Sequence, residues 1–114
     1  MGFQITEKLL SEERAILTLD GQLSAVIAPA LKTQLRRLAE GGHVQIIIDL
    51  TDVSFIDSSG LAALVSGFKA AREAGGTIKL AGLNEQTRTV FTLTRLDRVF
   101  ELYPDAEAAL LTVF

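Results

Sequence analysis

Asp57, Ser58, Ser59 and Gly60 stand together directly before a stretch with helical periodicity, and no other residues of the chain are better placed for chemistry. A helix N-terminus leaves backbone N–H groups without intrahelical partners and carries the positive end of the macrodipole, so it favours a phosphate. Phosphorylating one of these hydroxyls would add about −1.5 to −2 of charge. Ser and Asp before a helix also serve as plain caps; Asp57 is expected to accept an N–H from Ser59 or Gly60, fixing the loop. Gly60 presents no side chain, which is expected to let a partner's backbone come close. Other chemistries fit less well. A hydrolase nucleophile elbow needs glycine two residues before the serine, where this chain has Ile56. The only histidine, His43, precedes Ser58, against the hydrolase order of serine, acid, histidine. A phosphate-receiving carboxylate site would need clustered acids at adjacent strand ends and a lysine beyond a late strand. Asp20 and Asp49 are separately placed, and Lys79 is expected within a strand.

The elements that must position this motif can be read from hydrophobic spacing. Phe3 to Leu10 and Arg14 to Leu19 suit two strands joined by the polar turn Ser11-Glu12-Glu13, and Asp20-Gly21 is expected to end the second. Pro29 to Glu40 places Leu31, Leu35, Leu38 and Ala39 on one helical face, with Pro29 in the first turn and Gly41-Gly42 after the last. Val44 to Leu50 is a nearly continuous apolar run, as expected of a strand covered on both faces. A further apolar step, Val53 to Ile56, leads into Asp57. The next helix carries Leu61, Leu64, Val65, Phe68 and Ala71 inward and ends at Gly75-Gly76. Thr77 to Leu83 reads as a strand, Glu85 to Thr94 as a helix, Val99 to Leu102 as a short edge strand. Ala106 to Val113 reads as a last helix after Tyr103-Pro104-Asp105, with Leu110, Leu111 and Phe114 as its apolar contacts. A helix, a glycine pair and an apolar strand therefore follow one another twice, which implies parallel neighbouring strands joined by right-handed crossovers. The expected fold is α/β: one domain over residues 1–114, with a mixed, mostly parallel sheet of about five strands and about four helices.

Composition narrows the function classes. The chain has 114 residues, no cysteine and a net charge of −3, so disulfides and thiolate chemistry are excluded. Its basic residues are scattered, and no aromatics alternate with them as a stacking platform requires, which argues against direct nucleic-acid binding. No apolar run reaches the roughly 18–20 residues of a membrane span. The N-terminus lacks a signal pattern. A soluble, monomeric, cytoplasmic protein without cofactor or metal is expected.

With this order of elements and Asp57-Ser58-Ser59-Gly60-Leu61 at a strand-to-helix junction, the chain resembles the STAS family of bacterial anti-sigma factor antagonists. Gly21-Gln22-Leu23, Pro29, Asp49-Leu50 with Val53 and Phe55, and the double-glycine helix ends extend the resemblance over the whole chain. It implies that Ser58 is the phosphoacceptor, Asp57 the acid before it, and Gly60-Leu61 the start of a helix that docks on a partner. The implied partner is an anti-sigma factor that is also a serine kinase of the histidine-kinase-like ATPase fold. Binding frees a sigma factor, phosphorylation releases the complex, and a serine phosphatase resets it. Ser24 stands where the family usually has Asp, and Ala25-Val26-Ile27-Ala28 is more apolar than usual. This loop is expected beside Ser58, so the expected partner-binding set is Gln22, Ser24, Val26, Ile27, Asp57, Ser58, Ser59, Gly60 and Leu61. Val26 and Ile27 read most simply as staple or core residues, with a partner-facing apolar patch as the alternative. The alternative is a STAS subunit that is not phosphorylated and serves as an adaptor in a larger signalling or membrane-transport complex.

Overall fold

Alternating burial along the strands sets the layers. The structure, a computed structural model, describes residues 2–112. Strands β1 (Gln4–Leu9), β2 (Arg14–Leu23), β3 (Gln45–Ile56), β4 (Thr77–Ala81) and β5 (Glu101–Tyr103) form one five-stranded sheet in the order β1-β2-β3-β4-β5. The β1–β2 pair is antiparallel and the other three pairs are parallel. The expected fold class is therefore present. Helices α1 (Ala28–Glu40), α2 (Ser58–Glu73), α3 (Glu85–Leu93) and α4 (Ala106–Leu110) connect or follow the strands. Ala15, Leu17, Leu19, Ile46, Ile48, Ile78 and Leu80 face α1 and α2, while Ile47 and Ala81 face α4. Along β3, Ile46-Ile47-Ile48 are all buried because successive residues serve opposite covered faces, as the apolar run predicts.

In α1 the stripe Leu31, Leu35 and Leu38 is buried as its spacing predicts, each side chain worth about 2 kcal/mol against exposure. In α2 the deepest residues are Gly60, Ala63, Leu64, Gly67 and Ala71, and Leu61, Val65 and Phe68 are only partly buried. The small residues are there because α1 lies close. A Cβ on Gly67 would stand 2.4 Å from Leu35 Cδ1. Phe68 and Phe91 pack edge-on against Phe100, at centroid distances of 5.0 and 6.0 Å. The two glycine pairs close their helices, and the left-handed residue is Gly42 in one (φ +91°) and Gly75 in the other (φ +96°).

Several boundaries differ from the sequence expectation. Asp20-Gly21 does not end β2; the strand runs on to Leu23 through register shifts on either side of it, with Gly21 at φ +117°. A glycine that reads as a turn serves here as a bulge. Nor do Thr51 and Asp52 interrupt β3, which is continuous over Gln45–Ile56. Pairing with β4 stops at Asp49, whereas pairing with β2 continues to Ile56, so Thr51 and Asp52 stay exposed within an extended strand. Strand β4 ends at Ala81 rather than Leu83, because Gly82 turns with φ +76°. Strand β5 sits later than expected, at Glu101–Tyr103, since Leu96–Arg98 form a single 3-10 turn. Helix α4 stops at Leu110, and Leu111 is largely exposed rather than an apolar contact. The expected contact of Phe114 lies outside the described residues.

Candidate functional site

The bulged ends of β2 and β3 finish level with each other, Leu23 in register with Ile56, so the chain leaves both strands at one corner. The Asp57 amide donates to Leu23 O at 3.1 Å. Its carboxylate then joins two loops: Oδ1 accepts from Gly60 N at 2.9 Å and Oδ2 from Ala25 N at 3.1 Å. The expected cap on α2 is therefore made to Gly60, and the same side chain holds the Ser24–Ile27 loop against it. Ser24 O closes that loop by accepting the amides of Ile27 and Ala28, at 3.0 and 2.8 Å. The proximity expected for the loop and Ser58 is present.

Gly60 has a different reason to be glycine from the one its position suggests. It is buried, and a Cβ there would lie 2.4 Å from Leu23 O and 2.8 Å from Leu23 Cγ. The missing side chain lets α2 start against the end of β2; it does not open a path for a partner. Ser58, the first residue of α2, is exposed, and Ser59 is half-buried. Neither of their amides has a hydrogen-bond partner among the described residues, as the first turn of a helix predicts.

Of the remaining expected residues, Gln22 is exposed, Ser24 and Leu61 are half-buried, and Val26 is 85% exposed. Ile27 packs partly against the core, so the neighbouring pair divides: Val26 faces solvent and Ile27 serves the fold. Phe55 lies beside this set, at a position that hydrophobic spacing does not mark as a site residue. It pairs with Gln22 and remains 49% exposed, because Val53 and Ile56 take the inward positions. Its signal was a large apolar residue out of phase with two buried ones. Ser58 also borders a groove of about 600 Å³ along α2, which Leu61, Val65, Lys69 and, from α1, Arg36 help to line. Among the described residues no group of His, Cys, Asp or Glu is arranged to hold a metal ion, and no helix is long and apolar enough to cross a membrane.

The sequence over residues 6–109 matches the model of the STAS domain, and the chain belongs to that family. The anti-sigma-B factor antagonist of Bacillus subtilis is 36% identical over 87 residues, covering 76% of this chain and 79% of that protein. The crystal structure of an anti-sigma factor antagonist from Mycobacterium paratuberculosis superposes with a TM-score of 0.84 at 26% identity, covering 96% of this chain and 92% of the other. The antagonist SpoIIAA, at 19% identity, shares the fold. Its unphosphorylated form gives a TM-score of 0.84, covering 94% of this chain and 93% of that one. Its phosphorylated form gives 0.76, covering 94% and 96%.

Proposed function

We propose that this chain is an anti-sigma factor antagonist that acts by binding rather than catalysis, and that phosphorylation of Ser58 releases its partner. The observation that carries the reading is the exposed Ser58 hydroxyl at the first position of α2, on a loop held rigid by Asp57. A kinase can reach such a hydroxyl without unfolding anything. The free amides of Ser58 and Ser59 and the helix dipole stabilise a phosphate there, so the fold survives modification. The partner in this reading is an anti-sigma factor that is also a serine kinase of the histidine-kinase-like ATPase fold, and a serine phosphatase reverses the step. Gln22, Ser24, Val26, Asp57, Ser59 and Leu61 surround the hydroxyl as the contact surface, with Phe55 added to it.

Charge is the release mechanism. A new anion about 6–8 Å from a partner carboxylate, at an effective dielectric of 20–40, raises the energy of the complex by roughly 1–3 kcal/mol. That is about a tenfold to hundredfold loss of affinity. The test is to incubate the chain with each anti-sigma factor kinase of the histidine-kinase-like ATPase fold from its own organism and ATP, map the phosphate by mass spectrometry and measure binding before and after. The expected result is one phosphate on Ser58 and release of the complex. A phosphate on another residue, or affinity unchanged by modification, would overturn the reading.

A further inference from the structure

The outward side of α1 and α2 carries charge that Ser58 alone does not explain. Two grooves border the motif, one of about 600 Å³ beside Ser58 and one of about 350 Å³ beside Ser59, and Ala62 lines both. Ser58, Leu61, Val65 and Lys69 follow one another at helical spacings of three and four residues, forming one strip about 16 Å long on α2. Arg36 lines the first groove from α1, and Lys32 lines the second. Lys32, Arg36 and Lys69 are all exposed, and none has a side-chain hydrogen bond or ion pair among the described residues. The carboxylate at this end, Asp57, is already engaged through both oxygens by backbone amides. Glu73 enters the first groove only a turn beyond Lys69, and Glu40 and Glu73 share the adjoining groove with Arg36, both at the end away from Ser58. An unpaired cationic face thus flanks half-buried Leu61 and Val65 on a chain whose net charge is −3.

We propose that this face docks an acidic, amphipathic segment of the anti-sigma factor partner, with apolar side chains over Leu61 and Val65 and carboxylates against Lys32, Arg36 and Lys69. The proposal rests on the reading of Ser58 as the centre of the docking surface and extends that surface three turns along α2. Opposite charge steers the encounter and fixes the orientation of the complex, while the rest of this acidic chain repels the same segment. A phosphate on Ser58 then lies at the head of the cationic face and competes with the partner's carboxylates for it.

The test uses the purified anti-sigma factor kinase identified by the phosphorylation assay, with ADP, and measures affinity for the parent chain, Ser58→Asp, Arg36→Glu/Lys69→Glu, Lys32→Glu and the distant control Lys8→Glu. The double reversal is expected to weaken binding about thirtyfold and Lys32→Glu about fivefold, with Lys8→Glu within about twofold of the parent. Raising salt from about 0.05 to 0.5 M should weaken the parent and leave the double variant nearly unchanged. In a double-mutant cycle, Ser58→Asp should lose less affinity in the Arg36→Glu/Lys69→Glu background than in the parent. The neutral pair Arg36→Gln/Lys69→Gln should melt as the parent does and bind about fivefold more weakly, whereas the reversal sets Glu four residues before Glu40 and Glu73 and should melt slightly lower. Parental affinity in the reversal and neutral variants, with Ser58→Asp still weakened, would overturn the cationic face and leave the switch standing. If the parent does not bind the kinase at all, both readings fall.

Discussion

The corner around Asp57 and the cluster around Lys79 are both polar, yet one is open and the other closes on itself. Lys79 is 1% exposed on β4, and its ammonium donates to Thr112 Oγ1 while standing 3.9 Å from Glu101 Oε1 and 5.4 Å from the centroid of the Tyr103 ring. Tyr103 donates to Glu101, and Thr112 donates to Ala109 O. Every polar group there has a neighbour within the chain, so the cluster fastens α4 and β5 to the sheet. At the other corner the Asp57 carboxylate and amide and the Ser24 carbonyl are satisfied internally. Among the described residues the hydroxyl of exposed Ser58 and the amides of Ser58 and Ser59 have no partner. A self-satisfied cluster holds structure together, whereas groups left unsatisfied on a rigid frame are available to a partner.

The contrast can be tested in order of expected effect. Gly60→Ala drives a Cβ into Leu23 O and should lower unfolding free energy by about 3 kcal/mol in urea titration. Lys79→Ala empties a fully buried site and should lose about 2 kcal/mol by the same measurement. Lys79→Met keeps the volume and should stay within about 1.5 kcal/mol of the parent, since burying a charge has its own penalty. Asp57→Ala removes the cap and frees Ala25 N, so stability should fall by about 1–2 kcal/mol and partner affinity should fall with it. Ser58→Ala should change stability by less than about 0.5 kcal/mol while abolishing phosphate incorporation.

The smallest effect concerns pH. The Glu101 carboxylate, by accepting the Tyr103 hydroxyl, raises the Tyr103 pKa above its ordinary 10.0. The folded state therefore holds that proton more tightly than the unfolded chain. The resulting stability is present below pH about 10 and is lost as pH climbs through the raised value. Tyr103→Phe should flatten that alkaline limb in thermal melts recorded from neutral to high pH.

Local pattern sufficed wherever one periodicity ran without interruption. The buried stripe of α1, the all-buried Ile46-Ile47-Ile48 and the glycine-closed helices were readable because burial there repeats with the element's own period. So was the motif from Asp57 to Leu61, because a cap, two hydroxyls and a helix start lie within five consecutive residues. The extension of β2 past Gly21 and of β3 past Asp52 was not readable, since a turn signal and a bulge share the same residues, and neighbouring strands determine which forms. Gly60 could be read as permissive but not as buried, because Leu23 lies far away in the chain and only the β2–β3 register brings it there.

Residue order alone therefore carries the sequence of elements, their approximate lengths and the placing of the Ser58 hydroxyl at a helix start, all of which depend on contacts within a few residues. Folding in three dimensions settles the division of Val26 from Ile27, the second hydrogen bond of Asp57, the exposure of Phe55 and the placing of Arg36 and Lys69 along one groove. Each of these joins segments that are distant in the chain, or depends on which side of one element another covers, and hydrophobic spacing along a single element holds no record of either.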